Sequence, residues 1–484
     1  MNSLTLQIQD HAAALAFLFG RINYERKERI PYRSRGFKLD RMCRLLTRIG
    51  NPERDLAAVH VAGTKGKGST SAMIAAALQA AGYRVGLYTS PHLECLEERF
   101  VVNQQMCSGT QLVDLLGRIA PVVADMDREA VSQGRSGPTY FEITTAVAFL
   151  YFRDMGVDCA VLEVGLGGRL DSTNVCHPVV SVITSISLDH TRQLGKTLAA
   201  IAGEKAGIIK PQVPVVTGVQ TRAPLAVIRA TARQHNARLL ALGHDFHFTY
   251  QNQALALPTF DPGLSRSGAL PGLDYREEVD GVARRMDAVR IRLRGAHQAA
   301  NAAVALATLS QLRRAGWRVS ERAARIGLER AFCPARVEIV QQRPTVVLDA
   351  AHNVASVRAL LEVVAGDLPA RRRILVFGTS RDKNPPAMLD ELLPFFDQVV
   401  LTRYVTNPRA ASPNQLADVA EQIKKRRGLH DVVVHTRATP DAAWYLARTS
   451  ARGADVVCIT GSFFLAAELR KHLVRPVVAS AERS

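Results

Sequence analysis

The sequence has few cysteines, and no two of them form a closely spaced pair. Its 484 residues contain an odd number of cysteines, seven, with no C-x-x-C motif. Disulfide frameworks and cysteine zinc sites both require paired cysteines. The pattern therefore indicates reduced thiols, as in a cytoplasmic protein. The cysteines are Cys43, Cys95, Cys107, Cys159, Cys176, Cys333 and Cys458.

Long apolar runs are also missing. The run 12–20 is much shorter than the roughly 20 residues that a membrane-spanning helix needs. It has neither a basic leader nor a small-residue cleavage site. We expect an amphipathic first helix there, no membrane partner and a cytoplasmic protein.

Acidic residues are scarce relative to basic ones. There are 62 lysines and arginines against 44 acidic residues, a formal net charge of +18. This excess points to an anionic partner, such as a nucleotide, a polycarboxylate, a nucleic acid or an anionic membrane face. A basic arm covers 21–48 and includes Tyr32 and Phe37, but no helix-turn-helix, zinc-finger or RRM signature accompanies it. Nucleic acid is therefore not the expected partner, and the arm can equally be a solvated face.

The segment 56–82 reads as a strand, a glycine-rich loop and a helix. The loop directs backbone N–H groups and the positive end of a helix dipole at one point, which suits a phosphate chain. Lys67 is placed to reach the terminal phosphates, and Ser69 or Thr70 is expected to cap the helix. The predicted ATP-binding residues of this loop are Gly63, Thr64, Lys65, Gly66, Lys67, Gly68, Ser69 and Thr70.

The strict phosphate-loop pattern G-x-x-x-x-G-K-[ST] is not met. Val61 stands at its first glycine, and Gly68 separates Lys67 from the hydroxyl of Ser69. A tight connection between strand and helix would explain the glycines without any ligand. It would not explain two lysines between them, so phosphate binding is the favoured interpretation.

Three polar residues follow predicted strands further along the chain. Glu163 ends a buried strand directly before a glycine loop, which is a suitable place for a ligand of a hard cation. Ser90 follows another strand, although by itself it reads as an ordinary Ser-Pro turn. His190 follows an aspartate at a third strand end, and a lone histidine is more often structural. We expect Lys67 and Glu163 on exposed loops.

A change of pattern near residue 333 suggests a domain boundary. Strand and helix patterns alternate again beyond it, which predicts a second α/β domain. The expected division is 1–333 and 334–484, with strands and a loop insertion in 243–294. The predicted fold is an α/β P-loop ATPase domain with a mostly parallel sheet, followed by a smaller Rossmann-like domain.

Several motifs together resemble one known family. They are H-V-A-G-T-K-G-K-G-S-T (60–70), S-P-H-L (90–93), E-V-G-L-G-G-R-L-D-S-T-N (163–174) and G-A-H-Q-A-A-N (295–301). They resemble the folylpolyglutamate synthase/dihydrofolate synthase family, a branch of the ATP-dependent Mur ligases. Lys65 departs from the family's usual asparagine, Ala335 from a glycine and Val354 from a proline.

The resemblance implies an ATP-dependent amide ligase that adds L-glutamate to dihydropteroate, folates or both through an acyl phosphate. It implies Mg²⁺ bound by Ser90, Glu163 and His190. The catalytic residues would be Lys67, His190 and Lys205, the last carbamylated by CO₂. Further nucleotide contacts would come from Asn301, Arg336, Asp349 and His352. Without the resemblance, Lys205 reads as half of an exposed Glu-Lys pair. We expect a monomer.

Two rival functions remain at this point. A peptidoglycan-type Mur ligase would carry a UDP-binding domain before the phosphate loop, yet only about sixty residues precede it, fewer than a domain usually needs. A basic nucleic-acid-binding NTPase would also explain the charge and the loop. ADP release that depends on dihydropteroate and glutamate, rather than on DNA or RNA, would separate the ligase from the NTPase.

Overall fold

A computed structural model describes residues 8–24, 39–252 and 270–474. Part of the basic arm, including Tyr32 and Phe37, and the centre of the insertion 243–294 lie outside these ranges. The described residues form two compact units. The first contains those of 1–249, 273–290 and 300–332, and the second contains those of 250–272, 291–299 and 333–484.

The first unit is built on an eight-stranded sheet. Its strands, in spatial order, are β4 (Gln105–Met106), β3 (Phe100–Val102), β2 (Val85–Tyr88), β5 (Cys159–Glu163), β1 (Ala58–Ala62), β6 (Pro178–Ile183), β7 (Val215–Thr217) and β8 (Leu239–Ala241). The six strands from β2 to β8 run parallel, whereas β3 and β4 pair antiparallel at one edge. Strand β1 is fully buried between β5 and β6, as its apolar sequence predicts.

Helices cover this sheet and position the strand ends. They are α1 (His11–Phe19), α2 (Leu39–Arg48), α3 (Lys67–Ala80), α4 (Gly109–Ser132), α5 (Tyr140–Asp154), α6 (Thr191–Leu194), α7 (Leu198–Ala206), α8 (Arg222–Gln234) and α10 (Glu321–Arg330), with most of α9 (Ala296–Arg314). Helix α5 is buried along most of its length. Thr139 caps it, and Glu142 completes a capping box.

The insertion 243–294 contains strands, as expected. A separate three-stranded sheet has the order β11 (Val282–Arg290), β10 (Gly272–Val279) and β9 (Phe246–Gln251). None of the helices in the described ranges has the length and apolar character that a membrane span requires.

The second unit has its own six-stranded sheet and core. In spatial order the strands are β12 (Glu338–Gln342), β13 (Thr345–Leu348), β17 (Val456–Thr460), β14 (Arg373–Phe377), β15 (Gln398–Leu401) and β16 (Val433–Thr436). All pairs are parallel except β12 with β13. The helices are α11 (Val354–Gly366), α12 (Pro385–Leu392), α13 (Pro413–Arg427), α14 (Pro440–Ser450) and α15 (Phe463–Leu473). The predicted fold class of two α/β units is therefore confirmed.

Candidate active site

The glycine-rich loop 63–68 is held in place by the end of the neighbouring strand β6. Thr64 N donates to Ser185 O over 2.7 Å, and Lys65 N donates to Ser185 Oγ over 3.0 Å. Lys65 O accepts from Thr184 Oγ1 at 2.6 Å and from Ser185 Oγ at 3.0 Å. Because both backbone groups of Lys65 are bonded, the loop is fixed before any ligand binds. Thr184 and Ser185 are not among the predicted site residues, and their only signal in the sequence is a pair of hydroxyls at a strand end.

Helix α3 begins at Lys67, earlier than expected. The prediction that Ser69 or Thr70 caps it is wrong, since both lie inside the helix and are buried. The N-cap is Gly66, with φ +84° and no side-chain cap. A Cβ at Gly66 would lie 2.2 Å from Asn301 Oδ1, so Asn301 packs directly against the loop. The uncapped helix start leaves its first N–H groups for a ligand.

Lys67 and Glu163 meet at the carboxyl edge of the sheet. Lys67 Nζ lies 3.8 Å from Glu163 Oε1, and Ser90 N donates to Glu163 Oε2 over 3.3 Å. The expectation that Lys67 and Glu163 sit on exposed loops is wrong. Glu163 is the last residue of β5 and is buried, while Lys67 is the first residue of α3. The structure thus brings Lys67, Glu163 and Ser90 together from three adjacent elements.

His190 follows β6 at the same edge of the sheet. Its backbone is left-handed, with φ +47°, and its side chain is about half exposed, at 49%. His190 N donates to Asp189 Oδ1 over 2.9 Å, and its ring Nε2 lies 4.0 Å from the same oxygen. Asp189 is a neighbour that sequence analysis did not single out.

Lys205 is buried rather than exposed. Its Nζ donates to Gly63 O over 2.8 Å, while the adjacent Glu204 pairs with Arg169 over 2.9 Å. The alternative of an exposed Glu-Lys pair is therefore wrong. Burial lowers the pKa of the Lys205 amine to about 7, and the nearby positive charge of Lys67 acts in the same direction. A substantial fraction of this amine is neutral near pH 7.

The glycine loop after Glu163 is held by a buried carboxylate. Asp171 Oδ2 accepts from Leu166 N at 2.8 Å, and Oδ1 accepts from Thr173 Oγ1 at 2.6 Å. Thr173 Oγ1 is in turn 2.8 Å from Nε2 of the fully buried His60. Burial raises the pKa of Asp171, although its hydrogen bonds oppose the shift. Asp171 belongs to one of the family motifs, but the sequence alone does not indicate this role.

In the second unit, hydrogen bonds to the carboxylate of Asp349 connect the segments that carry the other two predicted site residues, Arg336 and His352. Asp349 Oδ2 accepts from Val337 N at 2.8 Å, and Oδ1 accepts from Ala351 N at 2.7 Å. Asp349 therefore links the turn that carries Arg336 to the loop that carries His352. His352 Nδ1 lies 2.9 Å from Ala350 O.

The two departures from the family motif in the second unit have structural explanations. Ala335 has φ +51°, the left-handed region that favours the family's glycine. Val354 is the first residue of α11 after the N-cap Asn353, a position where proline is favourable but not required. Both turns therefore persist in this sequence.

A cavity of about 460 Å³ lies elsewhere in the first unit. Helix α8 and strand β8 line it, together with His244 and Asp245. None of the predicted site residues borders it. The candidate site is instead defined by the loop, the helix start and the ends of β2, β5 and β6.

The donor types at this edge suit Mg²⁺. Within the described ranges, no three His, Cys, Asp or Glu side chains converge as a metal cage. Mg²⁺ does not need one, because it usually takes one or two protein carboxylates plus waters and substrate phosphates. Glu163 supplies a buried carboxylate. Ser90, whose backbone N–H bonds that carboxylate, adds a hydroxyl. The buried Thr70 Oγ1 has no hydrogen-bond partner in the described part of the chain. These residues fit a magnesium–phosphate group.

Comparisons with known proteins match both units. Residues 61–309 match the Mur ligase middle domain, and residues 335–463 match the Mur ligase glutamate ligase domain. A dihydrofolate synthase/folylpolyglutamate synthase of Bacillus subtilis is 37% identical over 90% of this chain and 94% of its own length.

Solved structures are also similar to this chain over nearly its whole length. Mycobacterium tuberculosis folylpolyglutamate synthase, in complexes with ADP and AMPPCP, matches with a TM-score of 0.81 and 32% identity, over 96% of this chain and 99% of that one. Escherichia coli FolC, in complex with DHPP and ADP, matches with a TM-score of 0.77 and 28% identity, over 96% and 98%.

Proposed function

This chain belongs to the folylpolyglutamate synthase/dihydrofolate synthase family of Mur ligases, and on that premise we propose that it uses ATP to join L-glutamate to dihydropteroate, to folates or to both. The observation that carries the proposal is the 3.8 Å approach of Lys67 Nζ to Glu163 Oε1 at the uncapped start of α3. A cation suited to phosphate thus lies beside a carboxylate suited to a metal ion. The glutamate ligase domain matched at 335–463 supports glutamate as the incoming amino acid.

The reaction proceeds in two steps. A carboxylate oxygen of the pteroate or folate attacks the γ-phosphorus of ATP, the bond to the bridging oxygen breaks, and ADP leaves. The α-amine of glutamate then attacks the acyl carbon, phosphate leaves with the bonding electrons, and the amine loses a proton as the amide forms. Positioning and charge neutralisation dominate catalysis of such a transfer.

The first unit supplies the phosphate-binding groups. Loop 63–68 and the first N–H groups of α3 bind the phosphate chain, and Lys67 offsets the charge that develops on its oxygens. Ser90, Glu163 and His190 would hold Mg²⁺, which supplies Lewis-acid polarisation of the phosphate oxygens. Asn301 lies against Gly66, so it is suited to fix the nucleotide near this loop.

Lys205 is suited to carbamylation. The reaction with CO₂ requires the neutral amine, and the lowered pKa of about 7 provides it. Carbamylation forms an N–C bond, releases a proton and converts a cation into an anion. The product adds an oxygen donor at the edge that carries Glu163 and removes a charge that would repel a metal ion.

The second unit would contribute Arg336, Asp349 and His352 on the nucleotide side. The Asp349 carboxylate holds both the turn that carries Arg336 and the loop that carries His352. We assign 1–333 and 334–484 as the two domains of a cytoplasmic monomer. The buried cysteines Cys107, Cys159, Cys176 and Cys458 are free thiols, which is consistent with a reducing compartment.

The test is ADP release from purified protein. ADP should form when ATP, Mg²⁺, L-glutamate and dihydropteroate or tetrahydrofolate are all present, and assays of the two acceptors in parallel define the specificity. Turnover stimulated by DNA or RNA without an acceptor would support the NTPase instead. Turnover only with a UDP-linked peptide would support the peptidoglycan-type ligase.

A further inference from the structure

The segment 89–99 leaves the sheet and returns to it within a few residues. It begins after β2, carries Ser90, and ends with the 3₁₀ helix Leu96–Arg99 before β3. Tyr88 and Phe100 are paired across β2 and β3, and Thr89 N donates to Arg99 O over 3.4 Å. The two ends of this segment, which we name the Ser90 loop, are therefore fixed beside each other.

The Glu98 side chain bonds the backbone in the middle of the Ser90 loop. Its carboxylate accepts three consecutive backbone N–H groups, from Leu93 at 2.7 Å, Glu94 at 2.8 Å and Cys95 at 3.1 Å. These are charge-assisted hydrogen bonds, which are stronger than those between neutral groups. A single side chain thereby fixes the path of the backbone a few residues after Ser90.

Arg99 holds the part of the loop nearest to Ser90. Its side chain is buried, with 1% of the residue exposed, and its Nε donates to His92 Nδ1 over 2.9 Å. The guanidinium carbon lies 5.4 Å from the centre of the Tyr140 ring, a cation–π contact. Because an arginine has no acceptor, His92 Nδ1 must accept, and this fixes the orientation of the imidazole two residues from Ser90.

The function of this arrangement follows from the contact between Ser90 N and Glu163 Oε2. We propose that Glu98 and Arg99 are positioning residues, which hold the Ser90 loop so that Ser90 and Glu163 present their oxygens to the same Mg²⁺. Neither residue needs to touch the ion. The inference rests on the proposed function, because it requires Ser90 and Glu163 to be metal ligands.

The decisive variant is Glu98→Gln. It keeps the size of the side chain but removes the charge and one of the two acceptor oxygens. Glu97→Gln is the matched control, because Glu97 lies on the same 3₁₀ helix but its carboxylate bonds the side chains of His11, over 2.5 Å, and Cys95 rather than the backbone N–H groups of the loop. Hydrogen exchange of residues 93–95 should become faster in Glu98→Gln and remain as in wild type in Glu97→Gln.

The second measurement is the Mg²⁺ dependence of ADP formation. In Glu98→Gln we expect the apparent KM for Mg²⁺ to rise by about 10- to 100-fold, the usual effect of losing a residue that supports metal ligands. High Mg²⁺ should restore most of kcat. Arg99→Lys, which keeps the charge but loses the planar guanidinium, should shift the same KM in the same direction.

Two results would overturn the proposal. One is unchanged hydrogen exchange in 93–95, and the other is faster exchange with an unchanged KM for Mg²⁺, which would make Glu98 purely structural. If wild type forms no ADP with any acceptor, the proposed function fails instead. The titration of Mn²⁺ binding to wild type and Glu98→Gln then decides the inference, and equal affinities would reject it.

Discussion

Lys67 Nζ and Glu163 Oε1 lie 3.8 Å apart, and their side chains are only 18% and 7% exposed. A buried carboxylate without a partner would be costly, so each group compensates the other. Phosphate and Mg²⁺ are the natural replacements for these two partners. The pair therefore keeps both charges compensated until the nucleotide binds.

The first prediction concerns Glu163. Glu163→Gln keeps the shape of the side chain but removes its charge, so ADP formation should fall by about 100-fold or more. Glu204→Gln is the control, since Glu204 pairs with Arg169 and should be replaceable. Steady-state kcat at saturating ATP is the measurement, with circular dichroism to verify folding. Turnover like that of wild type would remove Glu163 from the mechanism.

The second prediction concerns Thr184, which bonds the phosphate loop. Thr184→Val removes the hydroxyl that donates to Lys65 O, so the loop should lose order and KM for ATP should rise by about 10-fold, as expected for about 1.4 kcal/mol. Thr217→Val is the matched control, because Thr217 donates to Ile183 O on the neighbouring strand. Equal KM values in the two variants would contradict the role given to Thr184.

The third prediction concerns CO₂. If Lys205 is carbamylated, activity should fall in CO₂-depleted buffer and return when CO₂ is added. Since the pKa of Lys205 lies at about 7 and only the neutral amine reacts, the recovery at constant CO₂ should increase as pH rises through 7. Lys205→Gln should show low activity without any response to CO₂. Full wild-type activity in CO₂-free buffer would exclude carbamylation.

The fourth prediction concerns stability in acid. Burial lowers the pKa of His60 to about 3, against 6.5 for an ordinary histidine. The unfolded chain therefore binds more protons between these values, and stability falls as pH drops below 6.5. From pH 7 to pH 5 this group should remove about 2 kcal/mol of unfolding free energy.

His60→Gln is the variant that tests this, because its amide can still donate to Thr173 Oγ1 but does not titrate. Urea unfolding at pH 7 and pH 5 should show a smaller loss of stability for the variant than for wild type. An identical loss in both proteins would assign the acid sensitivity to other groups.

The fifth prediction concerns Ala335. Its left-handed backbone disfavours any residue with a Cβ, so Ala335→Gly should raise the free energy of unfolding by about 1 kcal/mol. Ala350→Gly, in the adjoining loop, is the control and should destabilise, because Ala350 does not have positive φ. Guanidinium unfolding of the three proteins measures both effects. A loss of stability in Ala335→Gly would show that its backbone is not strained.

Local sequence was enough to predict much of the site. Apolar runs such as 58–62 and 159–163 identify buried strands, and the residues that follow parallel strands must meet at one edge. Glu163 and Ser90 each follow a predicted strand, the family resemblance assigned them with Lys67 to one site, and the structure has their contacts. The two α/β units follow from the same alternation.

Contacts distant in sequence could not be predicted in this way. The burial of Lys205 depends on Gly63, 142 residues earlier in the chain. The start of α3 at Lys67 depends on the left-handed Gly66 and its contact with Asn301, not on the hydroxyls of Ser69 and Thr70. In both cases contacts between segments distant in sequence determined the burial of Lys205 and the start of α3.

Strand β1 lies in the middle of its sheet, with β5 and β6 on either side, and the loops of all three reach the candidate site. A nucleotide bound there would contact loops that follow the central strands of the sheet rather than its edge strands. Nucleotide binding should therefore raise the melting temperature of the whole first unit. Amide exchange should slow most in the central strands and least in the outer strands β4 and β8.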